Sequence, residues 1–195
     1  TKIKSSRIYT LIVVLTFVVY GNSINNEYAL DDNIVVKNNK MVEEGIKAIP
    51  KIFTSPYDTD DKQSYGYRPI VLASFAIEKQ IFKHLPTEQT KEQKLKKNKL
   101  TQANISHFIN VLFFAFTCIT LFQILSSVFS KHNIILPIIT TLIFLVHPLH
   151  TEVVDNIKSR DELLMLLGML LSIKHYLKFS ETSEIKFLII APLFA

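Results

Sequence analysis

Residues 104–129 read NISHFINVLFFAFTCITLFQILSSVF, with no Asp, Glu, Lys or Arg anywhere in the run. A helix needs roughly 20 mostly apolar residues to cross about 30 Å of hydrocarbon. This stretch is long enough, and it predicts a membrane-spanning helix from about Asn104 to Phe129. Ser130, Lys131 and His132 follow as a short basic turn of the kind that stays cytoplasmic.

Other apolar runs lie on both sides of it. Ile8 to about Ile24 is uncharged and follows Lys2, Lys4 and Arg7, which predicts a first span with a cytoplasmic N-terminus. The same features, with the small pair Gly21 and Ser23, also fit a cleaved signal peptide. Either reading delivers the next segment to the outside. A short third span is expected over about Asn133 to Val146, with Pro137 in its first turn, where a missing N–H costs little. Ser159 and Glu162 have capping-box spacing ahead of the apolar Leu163–Leu171 stretch, a fourth helix returning to Lys174, His175 and Lys178. A fifth apolar run begins near Ile185. Thr1 in place of Met, and a close at Ala195 inside that run, give the expectation of a piece of a longer protein.

Composition agrees with segregated apolar and polar segments. Hydrophobic residues make up 48% of the chain and charged residues 20%, and the mean hydropathy is +0.24. The net charge of +5 comes from lysines beside apolar runs and in one loop, which favours a membrane surface and no nucleic acid as partner. The single cysteine, Cys118, lies in an apolar run and excludes an internal disulfide framework. The expected organisation is therefore a first transmembrane helix over 1–24, an extracytoplasmic loop over 25–103 and further transmembrane helices over 104–195. The fold class is all-α, with polytopic membrane helices and a large loop containing amphipathic helices.

The loop carries Lys94, Lys96, Lys97 and Lys99, against a simple charge count, but loops longer than about 60 residues translocate largely regardless of charge. Thr87–Lys99 is expected to be a solvated insertion. Val42, Ile46, Ile49 and Phe53 recur at helical spacing and predict an amphipathic helix at the membrane interface, or a small packed one. Pro69 after Arg68 marks a second helix start, with Ile70 to Phe82 as its apolar run.

Two polar clusters are expected on the outer side. Asp31 and Asp32 follow the first span closely. Adjacent carboxylates can raise one another's pKa and prepare a general base, although a polar turn or helix cap also explains such a pair. The second cluster is HPLHTE at 147–152, followed by Arg160 and Asp161. Arg68 or Arg160 suits a phosphate, and His150 and Glu152 suit a leaving group or hydroxyl. Structural alternatives are Thr151 as a cap, Arg160 and Asp161 as complements to a first helical turn, and Arg68 paired with a loop acid. His147, His150 and Glu152 are metal-competent by type. They lack H-E-x-x-H spacing and Pro148 interrupts them, so no metal or other cofactor is assigned and a divalent ion stays open.

The segments LDDNIVVKNN, YGYRPIVLASFAIE, SHFINVLFF and HPLHTEVVDNIKSRDELLMLLGMLL occur in that order over most of residues 8–179. Together they resemble the N-terminal half of the membrane module of tetratricopeptide-repeat O-mannosyltransferases, in the C-type glycosyltransferase superfamily. HPLHTEVVDNIKSRDELL is the most specific part and the Tyr67–Pro69 YRP the next; the Asp pair alone is not diagnostic. The Lys-rich insertion departs from the family pattern, and the chain contains no tetratricopeptide repeats. The resemblance implies a polyprenyl- or dolichyl-phosphate-linked sugar donor, a protein or glycan hydroxyl acceptor, membrane lipid around the spans, and catalytic acids in the first outer loop.

The expected function is a multi-pass glycosyltransferase in a bacterial plasma membrane or the endoplasmic reticulum membrane, moving mannose on the extracytoplasmic side. Asp31 or Asp32 is the expected base, with Arg68, His150, Glu152 and Arg160 around donor and substrate. The alternative is a transporter or non-catalytic membrane scaffold. Transporters place ionisable groups at midplane, whereas here the span interiors carry none.

Overall fold

The computed structural model describes residues 5–56, 66–91 and 99–194, and every regular element among them is helical. Lys2 and Lys4, and Lys94, Lys96 and Lys97 of the expected insertion, lie outside the described residues. Helix α1 spans Ser5–Tyr20 and runs on as a 3-10 turn to Asn25. Short helices α2 (Lys40–Glu44) and α3 (Ile49–Ile52) precede α4 (Pro69–Ile81). The long α5 (Gln102–Val128) follows, then α6 (Ile135–Leu145), α7 (His150–Val154), α8 (Arg160–Thr182) and α9 (Ile185–Ile190).

Among the described residues three segments are long and apolar enough to cross a membrane: Ser5–Asn25, Gln102–Val128 and Arg160–Thr182. The expected third span is a shorter helix. At 11 residues and 1.5 Å per residue, α6 extends roughly 16 Å, about half the hydrocarbon thickness.

The chain divides into two compact units. One, the apolar unit, comprises Thr1–Gly21, Val111–Val154 and Glu162–Ala195. Inside it the buried Tyr20 hydroxyl donates to the Leu145 carbonyl at 2.8 Å, and its ring meets Phe114 edge-on with centroids 5.1 Å apart. Thr16, Thr117 and Thr120 donate to the carbonyls of Ile12, Phe113 and Phe116, one turn back on their own helices. Their hydroxyls are thus satisfied without a partner helix, which suits a segment surrounded by lipid. Gly168 lets the Ala191–Phe194 turn approach α8 closely: a Cβ there would lie 2.4 Å from the Phe194 carbonyl oxygen.

The other, the polar unit, comprises Asn22–Asn110 and Asp155–Asp161. Helix α4 begins at Pro69 as expected and buries Val71, Leu72, Phe75 and Ala76. The helix predicted from Val42, Ile46, Ile49 and Phe53 takes a different form. It breaks at Gly45, whose φ is +69°, where a Cβ would lie 2.6 Å from Gln80 Oε1. Met41 and Val42 are buried before the break, and the shifted register after it buries Ala48 and Ile52 and leaves Ile46 and Phe53 exposed. Periodicity assumes an unbroken helix, and a left-handed glycine removes that assumption.

Candidate active site

The site is built on the turn between the 3-10 end of α1 and the π-helical segment Asn33–Lys37. Leu30 adopts φ 43°, a left-handed conformation that costs a residue with a Cβ roughly 1–2 kcal/mol. Asp32 closes the turn. Its Oδ2 accepts the Ala29 N–H at 3.0 Å, and the Asp32 N–H donates to the Ala29 carbonyl at 2.9 Å. Its other oxygen, Oδ1, accepts the Lys158 N–H at 2.7 Å, from the distant turn that leads into α8.

The two adjacent acids therefore occupy opposite environments. Asp32 is 1% exposed, whereas the Asp31 side chain is 61% exposed, with Lys158 Nζ 3.5 Å from its Oδ2. Burial lifts the Asp32 carboxyl above its ordinary range, against the downward pull of the two backbone donors; the neighbouring Asp31 charge adds to the rise. An exposed carboxylate beside a movable ammonium can take a proton from an incoming hydroxyl. A buried one clasped by two N–H groups positions the backbone.

Arg160, the first residue of α8, is fully buried. Its guanidinium pairs with Glu78, donates from Nε to Asn110 Oδ1 at 2.8 Å and from Nη2 to the Ser106 carbonyl at 3.0 Å. A further Nη1 contact reaches Ser74 Oγ at 3.1 Å, and the ring of Phe75 lies 4.1 Å from the guanidinium carbon. Ser106 donates to the second Glu78 oxygen at 2.7 Å and is hydrogen-bonded to Tyr28. Burial pushes the Tyr28 hydroxyl up to about 12, so it stays protonated. Asn110 also donates to the Asn156 carbonyl at 3.0 Å, tying α5 to the 155–161 turn. A cleft lined by Tyr28, Val42, Phe75, Glu78, Lys79 and Gln102 opens beside this network.

Of the residues singled out from the sequence, Asp31, Asp32, Arg68 and Arg160 share the polar unit. Arg68 is half-exposed and pairs with Asp161. His150 and Glu152 belong to the apolar unit. His150 sits with Phe144 at 4.4 Å and Phe114 at 5.3 Å between ring centroids, and burial, reinforced by His147, lowers its pKa. Among the described residues no group of three or more His, Cys, Asp or Glu is arranged to hold a metal.

Glu78, Ser106, Asn110, Tyr28 and Lys158 were not singled out from the sequence. Glu78 carried a usable signal: it is the lone acid at the end of the apolar run IVLASFAI, where burial without a cation would be costly. Ser106 and Asn110 likewise interrupt an apolar helix one turn apart.

These features define a helical membrane protein that holds a buried acid and an exposed acid together at one turn. The family resemblance read from the sequence holds in the comparison with known proteins. The chain is 29% identical to the mouse (Mus musculus) Protein O-mannosyl-transferase TMTC1 over 164 residues, 80% of this chain and 15% of that protein. It is 27% identical to the human (Homo sapiens) TMTC1 over 164 residues, 80% and 16% of the two chains. It is 22% identical to the mouse TMTC3 protein of the same description over 173 residues, 87% and 16%. The chain thus spans about 15% of the length of the curated relatives it matches. No protein-family model matches it, and no solved structure does.

Proposed function

We propose that this chain is the base-bearing part of a multi-pass membrane glycosyltransferase that moves a sugar from a polyprenyl- or dolichyl-phosphate donor to a protein or glycan hydroxyl. The names of the similar proteins support mannose as the sugar and protein as the acceptor. The site lies on the extracytoplasmic face of a bacterial plasma membrane or the endoplasmic reticulum membrane.

The observation that supports the reading is the contrast between Asp31, exposed beside Lys158, and Asp32, buried and held by two backbone N–H groups. Asp31 accepts the acceptor hydroxyl proton while that oxygen attacks the anomeric carbon. The bond from that carbon to the phosphate oxygen breaks, and the lipid phosphate leaves with the electron pair. One displacement inverts the anomeric centre. Arg160 acts through the frame, since its donors are engaged with Glu78, Asn110 and Ser106. Half-exposed Arg68 remains a candidate phosphate ligand, and His150 and Glu152 remain candidate substrate-binding groups.

The test is sugar transfer by the full-length protein from polyprenyl-phosphate mannose. Asp31→Asn keeps the shape and removes the base, for an expected loss of about 10²–10⁴ in kcat at unchanged expression. Near-normal turnover by the Asp31→Asn, Asp32→Asn double variant would leave the transporter or scaffold reading ahead.

A further inference from the structure

We propose that Lys158 recognises the donor phosphate: its ammonium holds Asp31 in the free protein and passes to the lipid-linked phosphate when the donor binds. This deepens the glycosyltransferase reading and rests on it.

The placement of the nearby cations leads to Lys158. Arg160 is buried against Glu78, Arg68 pairs with Asp161, Lys37 pairs with Glu88, and Lys79 donates to Gln102 Oε1 at 3.1 Å. Lys158 alone among these pairs with Asp31, at 3.5 Å, with 37% of its side chain exposed.

Its backbone is fixed, while its tip is held by the exposed Asp31 ion pair. The Lys158 N–H donates to Asp32 Oδ1 at 2.7 Å and to Asn156 Oδ1 at 3.2 Å. The preceding Ile157 is fully buried, and Asn110 grips the Asn156 carbonyl. A long flexible stem rooted in a rigid turn lets the ammonium swing by a few ångströms without disturbing the fold.

Magnitudes favour the exchange. A solvent-exposed Lys–carboxylate pair is weak, because water and salt screen it, so little holds the ammonium on Asp31. A sugar phosphodiester carries one negative charge, and the departing lipid phosphate approaches about −1.5 to −2. The attraction to Lys158 therefore grows as the glycosidic bond breaks, and only an interaction that strengthens toward the transition state speeds the chemical step. The same movement bares the Asp31 oxygen for the acceptor hydroxyl. Occupation of the donor site would thus uncover the base, coupling donor binding to acceptor activation.

The experiment uses the full-length protein in phosphatidylcholine nanodiscs. Polyprenyl phosphate binding is followed by native mass spectrometry, and mannose transfer is followed in parallel. Lys158→Gln should weaken polyprenyl phosphate binding about 10-fold and lower kcat/KM for the donor about 100-fold. Lys158→Arg should recover most of both, and Lys83→Gln, a change at an exposed lysine outside the site, should match wild type. Asp31→Asn gives the decisive contrast: it should lower transfer about 10²–10⁴-fold yet bind polyprenyl phosphate at least as tightly as wild type, because the ammonium has lost its competitor. A merely structural Lys158–Asp31 pair would weaken binding in both variants and overturn the proposal. Wild-type binding and transfer by Lys158→Gln would overturn it while leaving the glycosyltransferase reading intact. Absence of both lipid-phosphate binding and mannose transfer in wild type would remove the two together. Nanodiscs doped with phosphatidylglycerol separate the sources of phosphate. Equal loss of that lipid in Lys158→Gln would reduce Lys158 to a general anionic-lipid contact and overturn its role as donor ligand.

Discussion

The two units of this chain are stabilised by different means. In the apolar unit the threonines Thr16, Thr117 and Thr120 hydrogen-bond within their own helices, and rings such as Tyr20 and Phe114 meet edge to face. In the polar unit, helices α2 and α3 are shorter than two turns, and buried partners far apart in sequence hold the structure: Arg160 with Glu78, Asn110 with Asn156, Lys158 with Asp32. Lipid supplies no hydrophobic drive between helices, so small packing terms suffice there. The polar unit depends on directed polar contacts, and those same contacts locate Asp31.

The sharpest way to break this comparison is topological. In a Cys118→Ala background, an impermeant reagent should label Thr54→Cys from outside and leave Lys131→Cys unlabelled in sealed cells or microsomes of matching orientation. Labelling of both from one side would sink the extracytoplasmic assignment of the loop.

The next largest effect is on folding. Arg160→Ala leaves Glu78 buried and uncompensated, which costs about 3–5 kcal/mol. Helices α4 and α8 should then become accessible to limited proteolysis. An Arg160→Met, Glu78→Leu double variant should recover much of that loss, since replacing both buried charges by apolar groups is close to neutral. Failure to recover would show that the Asn110 and Ser106 contacts matter more than the ion pair.

Asp32→Asn tests the clasp. An amide nitrogen facing a backbone N–H forfeits one hydrogen bond and should lower stability by about 1–3 kcal/mol. The pH dependence has a definite sign. Because burial raises the folded-state pKa of Asp32 above its ordinary 3.8, its titration contributes stability that is complete below about 3.8 and is lost as pH rises through the folded value. The thermal-shift gap between wild type and Asp32→Asn should accordingly be widest near pH 4 and narrow as the pH is raised. A gap that widens instead would mean that the two N–H donors outweigh burial.

Smaller effects are expected in the apolar unit. Gly168→Ala should loosen the Ala191–Phe194 turn, where a Cβ would lie 2.4 Å from a carbonyl oxygen, at a cost of about 1–3 kcal/mol by overpacking. Thr120→Val removes only a hydroxyl already satisfied by Phe116 and should shift stability by less than about 1 kcal/mol in detergent thermal-denaturation measurements.

What the amino-acid order determined by itself was the helical class, the three long apolar segments, the start of α4 at Pro69 and the family resemblance. Hydropathy, proline and local motif order are properties of neighbouring residues and need no knowledge of distant ones. The prediction over Val42–Phe53 went wrong at one glycine, where the backbone takes a positive φ and a Cβ would collide with Gln80 from another helix. The sequence brought Asp31 and Asp32 forward as equals. Only the tertiary structure separated them, because burial and partners are set by chain segments that arrive from far away: the Lys158 N–H lies 126 residues from Asp32, and Glu78 lies 82 from Arg160. The same long-range folding took the Arg160 guanidinium into the core and left Lys158 beside the open acid.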